Sequence, residues 1–298
     1  MSNSLVPIIT KIRSVDGVST AKISHLGANI TSWKVNGKEK LFFSKNADLT
    51  KPGIEIYGGI PIVFPQFAKW EMNPNPPRIP DPSPDQSIQR PAHGFARLAT
   101  WELVSVDVNI ATFKLKNSDF TKQFWSHEFE LIYSITLTNS SINCEIIVEN
   151  TDSTDFEFTC LFHNYMRCSD IKNTWLFGLQ HTMFWDAINR NTRVFDKVGD
   201  KIYGVTQTEG IDNVYEDSKN AFDFHPNGDK TEVLKLQKSS NLTNTVVWNP
   251  GPDNAQVMKH FGSHEYVNML CVEFGRVVDP KLLNPGEKFT FSQKISVK

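Results

Sequence analysis

Three observations predict an all-β chain folded as a large antiparallel β-sandwich. Apolar and polar residues alternate with period two along most of the sequence. β-branched and aromatic residues crowd those same stretches, and turn residues recur between them. In chain order, residues 18–35 (VSTAKISHLGANITSWKV) read as two short strands broken at Gly27 and Asn29. Residues 40–44 (KLFFS), 99–108, 111–117, 129–138 and 142–150 read as the next five. Residues 155–166 (DFEFTCLFHNYM) read as one continuous strand, followed by 245–249, 268–274 and 288–297. Asn36-Gly37, Asn139 to Ser141, Asp152 to Thr154 and Pro285-Gly286 supply turns. Long helical periodicity, internal repeats and an interdomain linker are all missing, so one domain is predicted over residues 1–298. The exception is residues 73–91, NPNPPRIPDPSPDQSIQRP, which hold seven of the sixteen prolines. Proline cannot donate to a ladder, so this segment is an extended loop, either a rim of the active site or a tolerated insertion.

Composition excludes several function classes. The 298 residues carry 31 Lys plus Arg against 33 Asp plus Glu, a net charge of −2. That leaves no basic face for nucleic acid. No apolar run is long enough for a membrane-spanning helix. The N-terminal residues lack the pattern of a secretion signal. Cys144, Cys160, Cys168 and Cys271 form no CxxC pair, and buried free thiols of a reducing compartment are expected. A cytoplasmic monomer is the resulting expectation.

Four segments carry more polar chemistry than a sandwich core requires. Residues 57–67 (YGGIPIVFPQF) pair two glycines with two prolines, suited either to close backbone approach or to a buried packing loop. In AHGFAR, His93 and Arg97 are four apart; in a strand they would share a face and could meet an anionic or polyhydroxyl ligand. The alternative is a surface ion pair and a structural histidine. His163 stands inside an apolar run, either as a satisfied core residue or as a proton-transfer group with an ordinary pKa of about 6.5. Glu273 interrupts MLCVEFGR, and a buried carboxylate needs a partner; Arg276 or a lysine is the structural option. No GxGxxG, Walker loop or GxSxG elbow is present, and His260 and His264 lack HExxH order, so no metal is expected.

In order along the chain, GGIPIVFP, HGFAR before TWEL, LFHNYMR, IDNVY, TVVWNP, CVE and LNPGE resemble the aldose 1-epimerase superfamily, nearest its hexose-6-phosphate mutarotase branch. The resemblance runs from about residue 15 to 297. It implies a galactose-mutarotase-type sandwich and interconversion of α and β sugar anomers with no cofactor. It places the catalytic histidine at His163 and the catalytic glutamate at Glu273. His93 and Arg97 fall at substrate-binding positions, as does Asp212 at a looser match. Glu273 as carboxylate would take the anomeric hydroxyl proton, and His163 as imidazolium would protonate the ring oxygen. At neutral pH that role needs a raised histidine pKa, expected from nearby Glu273 and Asp212.

The sequence departs from that branch on the substrate side. Tyr57 stands where arginine usually precedes the Gly-Gly pair, and Ala92 where glutamine precedes His-Gly. A phosphate dianion favours bidentate arginine. Arg97 remains, with Lys69 as a second candidate and Arg78, Arg90 and Arg167 as further sources of charge. Trp70 or Tyr57 offers an aromatic face for stacking. The expected partner is a sugar or sugar phosphate. A hexose 6-phosphate leads; an unphosphorylated sugar, or sugar binding without turnover, is the alternative.

Overall fold

A computed structural model describes residues 6–51, 53–69, 90–188, 192–195 and 210–298. Trp70, Arg78 and most of the Pro-rich segment lie outside the described residues. The described residues form two eight-stranded antiparallel sheets and a four-stranded sheet. The small sheet is β1 (Ile9–Arg13), β2 (Ser19–Ser24), β3 (Ile30–Val35) and β4 (Lys38–Glu39) in sequential order.

One large sheet carries β5 (Ile62–Val63), β10 (Phe156–Phe162), β11 (Tyr165–Arg167), β13 (Met183–Asp186), β14 (Thr192–Phe195), β15 (Ile211–Tyr215), β18 (Asn244–Asn249) and β19 (Met269–Leu283). The other carries β6 (Glu102–Val106), β7 (Ile110–Lys116), β8 (Phe129–Leu137), β9 (Ser141–Asn150), β12 (Trp175–Phe177), β16 (Ala221–His225), β17 (Leu234–Lys238) and β20 (Lys288–Val297). Period two decides which residues each sheet gives to the core. From β8 come Phe129, Leu131, Tyr133 and Ile135, and from β10 come Phe156, Phe158, Cys160 and Phe162. Each such fully buried side chain contributes about 1.5–3 kcal/mol. All four cysteines are buried free thiols.

Two expected strands differ. Residues 40–44 form no strand; Leu41 and Phe43 make only isolated bridges, to Met166 and Gly58. Residues 155–166 are not continuous, because pairing breaks after Phe162 and resumes at Tyr165. In the gap the chain bonds to the glycine-proline loop instead: the His163 N–H donates to the Pro61 carbonyl (3.0 Å) and the Tyr165 N–H to that of Gly59 (2.9 Å). Gly59 takes φ +76°, and a Cβ there would lie 2.4 Å from the Ile30 carbonyl oxygen. The loop can approach this closely only because residue 59 has no side chain.

The break leaves His163 on the face of the sheet away from the core. β19 sends Leu270, Val272 and Phe274 inward, which turns Cys271 and Glu273 outward. In β18, Val247 points in while Val246 and Trp248 point out; in β15, Tyr215 points in while Asp212 and Val214 point out. Register then aligns the outward residues. Val246 pairs with Glu273, Val214 with Val246, and Asp212 with Trp248. Asp212 and Glu273 therefore share the outer face of one sheet with Val214, Val246 and Trp248.

Candidate active site

A cavity of about 380 Å³ opens on this outer face. That size falls in the range of small-molecule pockets, about 300–1,000 Å³. Tyr57, Lys69, His93, Arg97, His163, Asp212 and Glu273 all line it, so the seven residues singled out from the sequence meet in one place. Glu55 and Trp248 line it too, without having been singled out. Arg90 and Arg167 do not; the Arg90 Nε donates to the Phe124 carbonyl, and Arg167 is exposed beside another groove.

His163 and Glu273 sit at the buried end. Nδ1 of His163 lies 3.4 Å from Oε1 of Glu273, and both side chains are almost fully buried. Arg276, the structural alternative for Glu273, pairs with Asp279 instead. Tyr165 stacks on the imidazole with ring centroids 4.7 Å apart and planes 9° apart. Trp248 and His93 meet it edge-on at 6.1 and 5.5 Å.

The aromatic box overturns the expected charge states. Burial, with the Arg97 charge adding to it, drives the His163 pKa down to about 3, so the imidazole is neutral. Burial pushes Glu273 well above the carboxylate range; Asp212 adds to this and Arg97 opposes it. Proximity to carboxylates does not rescue the imidazolium, because those carboxyls are themselves desolvated. Asp212 rises to about 7 from burial and from the Asp186 charge.

His93 and Arg97 do not lie on a strand. Both come from turns, with His93 at φ +62° and Gly94 at φ +70°. A Cβ on Gly94 would fall 2.2 Å from the Phe64 carbonyl oxygen, so the turn needs glycine there. The turn is clamped by the His93 N–H donating to the Ala68 carbonyl at 2.9 Å. The Ala68 N–H donates back to His93 Nδ1 at 3.2 Å. His93 is held neutral by burial, with Arg97 and His163 adding to the effect. With Nδ1 accepting, its proton resides on Nε2, which makes His93 a donor.

Arg97 is nearly buried, and its Nη2 donates to Glu55 Oε1 at 2.7 Å and to the Ala92 carbonyl at 2.8 Å. The Tyr57 hydroxyl donates to the other Glu55 oxygen at 2.7 Å. Burial pushes the Glu55 carboxyl up, but Arg97, Tyr57 and Lys69 together leave it below its ordinary value. Nothing in the residue 53–59 sequence, GIEIYGG, marks Glu55 as different from a surface glutamate.

Asn164, next to His163, is completely buried. Its Nδ2 donates to the Val272 carbonyl (2.9 Å), and the Val272 N–H donates to the Asn164 carbonyl (3.1 Å). This clamp fixes the spacing between the neighbours of His163 and Glu273.

Among the described residues, His163, Cys271 and Glu273 offer metal-ligand atoms within 4.8 Å of one another. Burial holds the Cys271 thiol well above its ordinary pKa, with Glu273 and Asp212 adding to the effect. A neutral thiol is a poor ligand, and the other two residues serve better as a proton-transfer pair.

The fold and the site define a β-sandwich protein with a buried histidine–carboxylate pair beneath a cleft on its outer face. Residues 11–296 match the aldose 1-epimerase family, and the chain belongs to it. It is an aldose 1-epimerase, an isomerase of sugar anomers, by family. A Cenchrus ciliaris protein described as "Putative glucose-6-phosphate 1-epimerase" is 32% identical over 90% of this chain and 78% of its own length. An Escherichia coli protein with the same description is 29% identical over 91% and 84%. The crystal structure of a "putative mutarotase" from Salmonella typhimurium superposes with a TM-score of 0.77 at 27% identity, covering 98% of this chain and 94% of that one. Among the described residues no helix is long and apolar enough to cross a membrane.

Proposed function

We propose that this enzyme interconverts the α and β anomers of an aldohexose 6-phosphate of the glucose 6-phosphate type, using no cofactor. The observation that carries the reading is that one cavity holds the His163–Glu273 pair together with two cations, Arg97 and Lys69. The names of the relatives point the same way.

Glu273 takes the proton of the anomeric hydroxyl while His163 gives one to the ring oxygen. The C1–O5 bond breaks, its electron pair goes to O5, and C1 becomes the aldehyde. Rotation about C1–C2 followed by the reverse transfers gives the other anomer and restores both side chains. Desolvation leaves the pair uncharged. That form and the carboxylate–imidazolium form hold the same number of protons, and one transfer across the 3.4 Å gap interconverts them. Sugar hydroxyls donating to Glu273 favour the carboxylate. Acid–base catalysis of this kind supplies about 10²–10⁴ in rate, and orientation by the cavity supplies the rest. Asp212 and His93, an acceptor and a donor, hold sugar hydroxyls. Arg97 and Lys69 hold the phosphate, and Trp248 offers an aromatic face to the ring.

A second reading, an unphosphorylated sugar, is favoured by the Glu55 carboxylate that already occupies Arg97, and by Tyr57 in place of an arginine. Anomer exchange measured by NMR on glucose 6-phosphate and on glucose, in non-catalysing buffer, separates the two. Acceleration only of the phosphorylated sugar supports the proposal. Acceleration only of glucose selects the second reading.

A further inference from the structure

We propose that Glu55 is the resident counter-ion of the anion-binding end of this cavity, and that a substrate phosphate must displace it from Arg97. The inference rests on the hexose 6-phosphate reading and adds a specificity-determining residue to it.

Arg97 is the buried partner and Glu55 the exposed one. The Arg97 side chain is 6% exposed and Glu55 is 43% exposed. One of the two acceptors at Arg97 Nη2 is the backbone carbonyl of Ala92, which stays. The other is the Glu55 carboxylate, carried by a segment without strand pairing and held on its second oxygen by the Tyr57 hydroxyl. Nε of Arg97 has no partner among the described residues. A guanidinium binds phosphate through two N–H groups side by side. Once Glu55 leaves, Nη2 and Nε together present that fork.

Charge makes the displacement necessary. With Glu55 in place, its charge offsets one of the two nearby cations, Arg97 and Lys69. A dianion placed beside a retained carboxylate would meet like charge at hydrogen-bonding range, which is strongly unfavourable in a partly desolvated cleft. With Glu55 swung out, two cations face two negative charges. Tyr57 remains, because its ring packs edge-on against Phe261 with centroids 5.8 Å apart. Its hydroxyl, freed from Glu55, becomes a further donor. A neutral sugar calls for no such exchange. Glu55 therefore weakens binding of the phosphorylated substrate while leaving that of a neutral one alone, since affinity falls with the fraction of sites that are open.

The test uses Glu55→Gln, which keeps the shape and one of the two acceptor oxygens of Glu55 but removes its charge, with Glu55→Ala as a second variant. KM for glucose 6-phosphate and for glucose is measured by NMR anomer exchange, and binding of inorganic phosphate by calorimetry. Both variants are expected to lower KM for glucose 6-phosphate and the dissociation constant for phosphate by about tenfold, the effect of losing one charge-assisted hydrogen bond. KM for glucose should move less than about twofold, within that same scale. If glucose 6-phosphate is turned over and neither variant tightens its binding or that of phosphate, the displacement idea is wrong while the substrate reading stands. If wild type and variants turn over glucose only and none binds phosphate, the substrate reading itself falls and this inference with it.

Discussion

Asn164 and Gln293 exchange two side-chain hydrogen bonds across the sandwich. Asn164 Nδ2 donates to Gln293 Oε1, and Gln293 Nε2 donates to Asn164 Oδ1, each at 2.8 Å. Gln293 lies on β20 in the opposite sheet, so the core itself braces the chain beside His163. Buried amides that satisfy each other fix geometry, and either one alone is costly.

Asn164→Ala or Gln293→Leu should each lower stability by about 1–3 kcal/mol, because the surviving amide is left unpaired. The double variant should cost less than the sum, with a coupling of about 0.5–3 kcal/mol in a urea-unfolding cycle. The loss should appear in kcat more than in KM, since the catalytic pair loses its spacing rather than the cavity its binding groups. Additive costs, or an effect on KM alone, would contradict the positioning role.

The two buried catalytic candidates should each destabilise the fold, on opposite sides of neutrality. Glu273 has a folded pKa well above its ordinary 4.5. The unfolded chain releases that proton first, so wild type loses stability as pH rises above 4.5. Glu273→Gln should therefore be the more stable protein at pH 8 and gain little at pH 4. His163 has a folded value of about 3 against an ordinary 6.5. Wild type loses stability as pH falls from 6.5 toward 3, so His163→Asn should gain at pH 5 and not at pH 8. Gains of about 1–3 kcal/mol are expected in thermal or urea unfolding. Gains at the opposite pH for either variant would refute the neutral-pair assignment.

Asp212 titrates at about 7. As the acceptor of a sugar hydroxyl it binds better when ionised. KM should rise as pH falls from 8 to 6, by up to about tenfold per unit below its pKa. Asp212→Asn should bind more weakly at pH 8 and show no such rise. An unchanged pH profile in the asparagine variant would remove Asp212 from sugar binding.

Gly94→Ala should disturb the turn that presents His93 and Arg97. Its Cβ would collide with the Phe64 carbonyl at a backbone angle that alanine rarely adopts. A loss of about 1–3 kcal/mol with weakened sugar binding is expected, read by thermal unfolding and KM. A variant of unchanged stability would show that the turn relaxes.

The long alternating strands were legible in the sequence because each has one face on the core; β8, β9 and β20 pair there in continuous register. β15, β16 and β17 were missed. Each is five residues long, and Asp212, Asp223, Lys235 and Gln237 dilute the apolar signal. The break after Phe162 left no mark, because its cause is a loop a hundred residues upstream rather than a local glycine or proline. The candidate site was legible where a polar residue interrupts an apolar run, as at His163 and Glu273. Glu55 was invisible for the converse reason. It sits in an unremarkable polar position, and only the partner supplied by the fold gives it a role, whereas Gln293 interrupts the inward row Phe289, Phe291, Ile295 of β20, a period-two signal that went unread. Charge states were misread because sequence proximity does not reveal desolvation.

The central claim is that the buried His163–Glu273 pair opens and closes a sugar ring. The most direct measurement is the rate of anomer exchange of glucose 6-phosphate by NMR, with wild type and Glu273→Gln at equal concentration. Wild type should accelerate exchange, and the glutamine variant should lose at least about 10²–10⁴ of that rate while remaining folded. A folded Glu273→Gln protein that exchanges anomers at the wild-type rate would contradict the account.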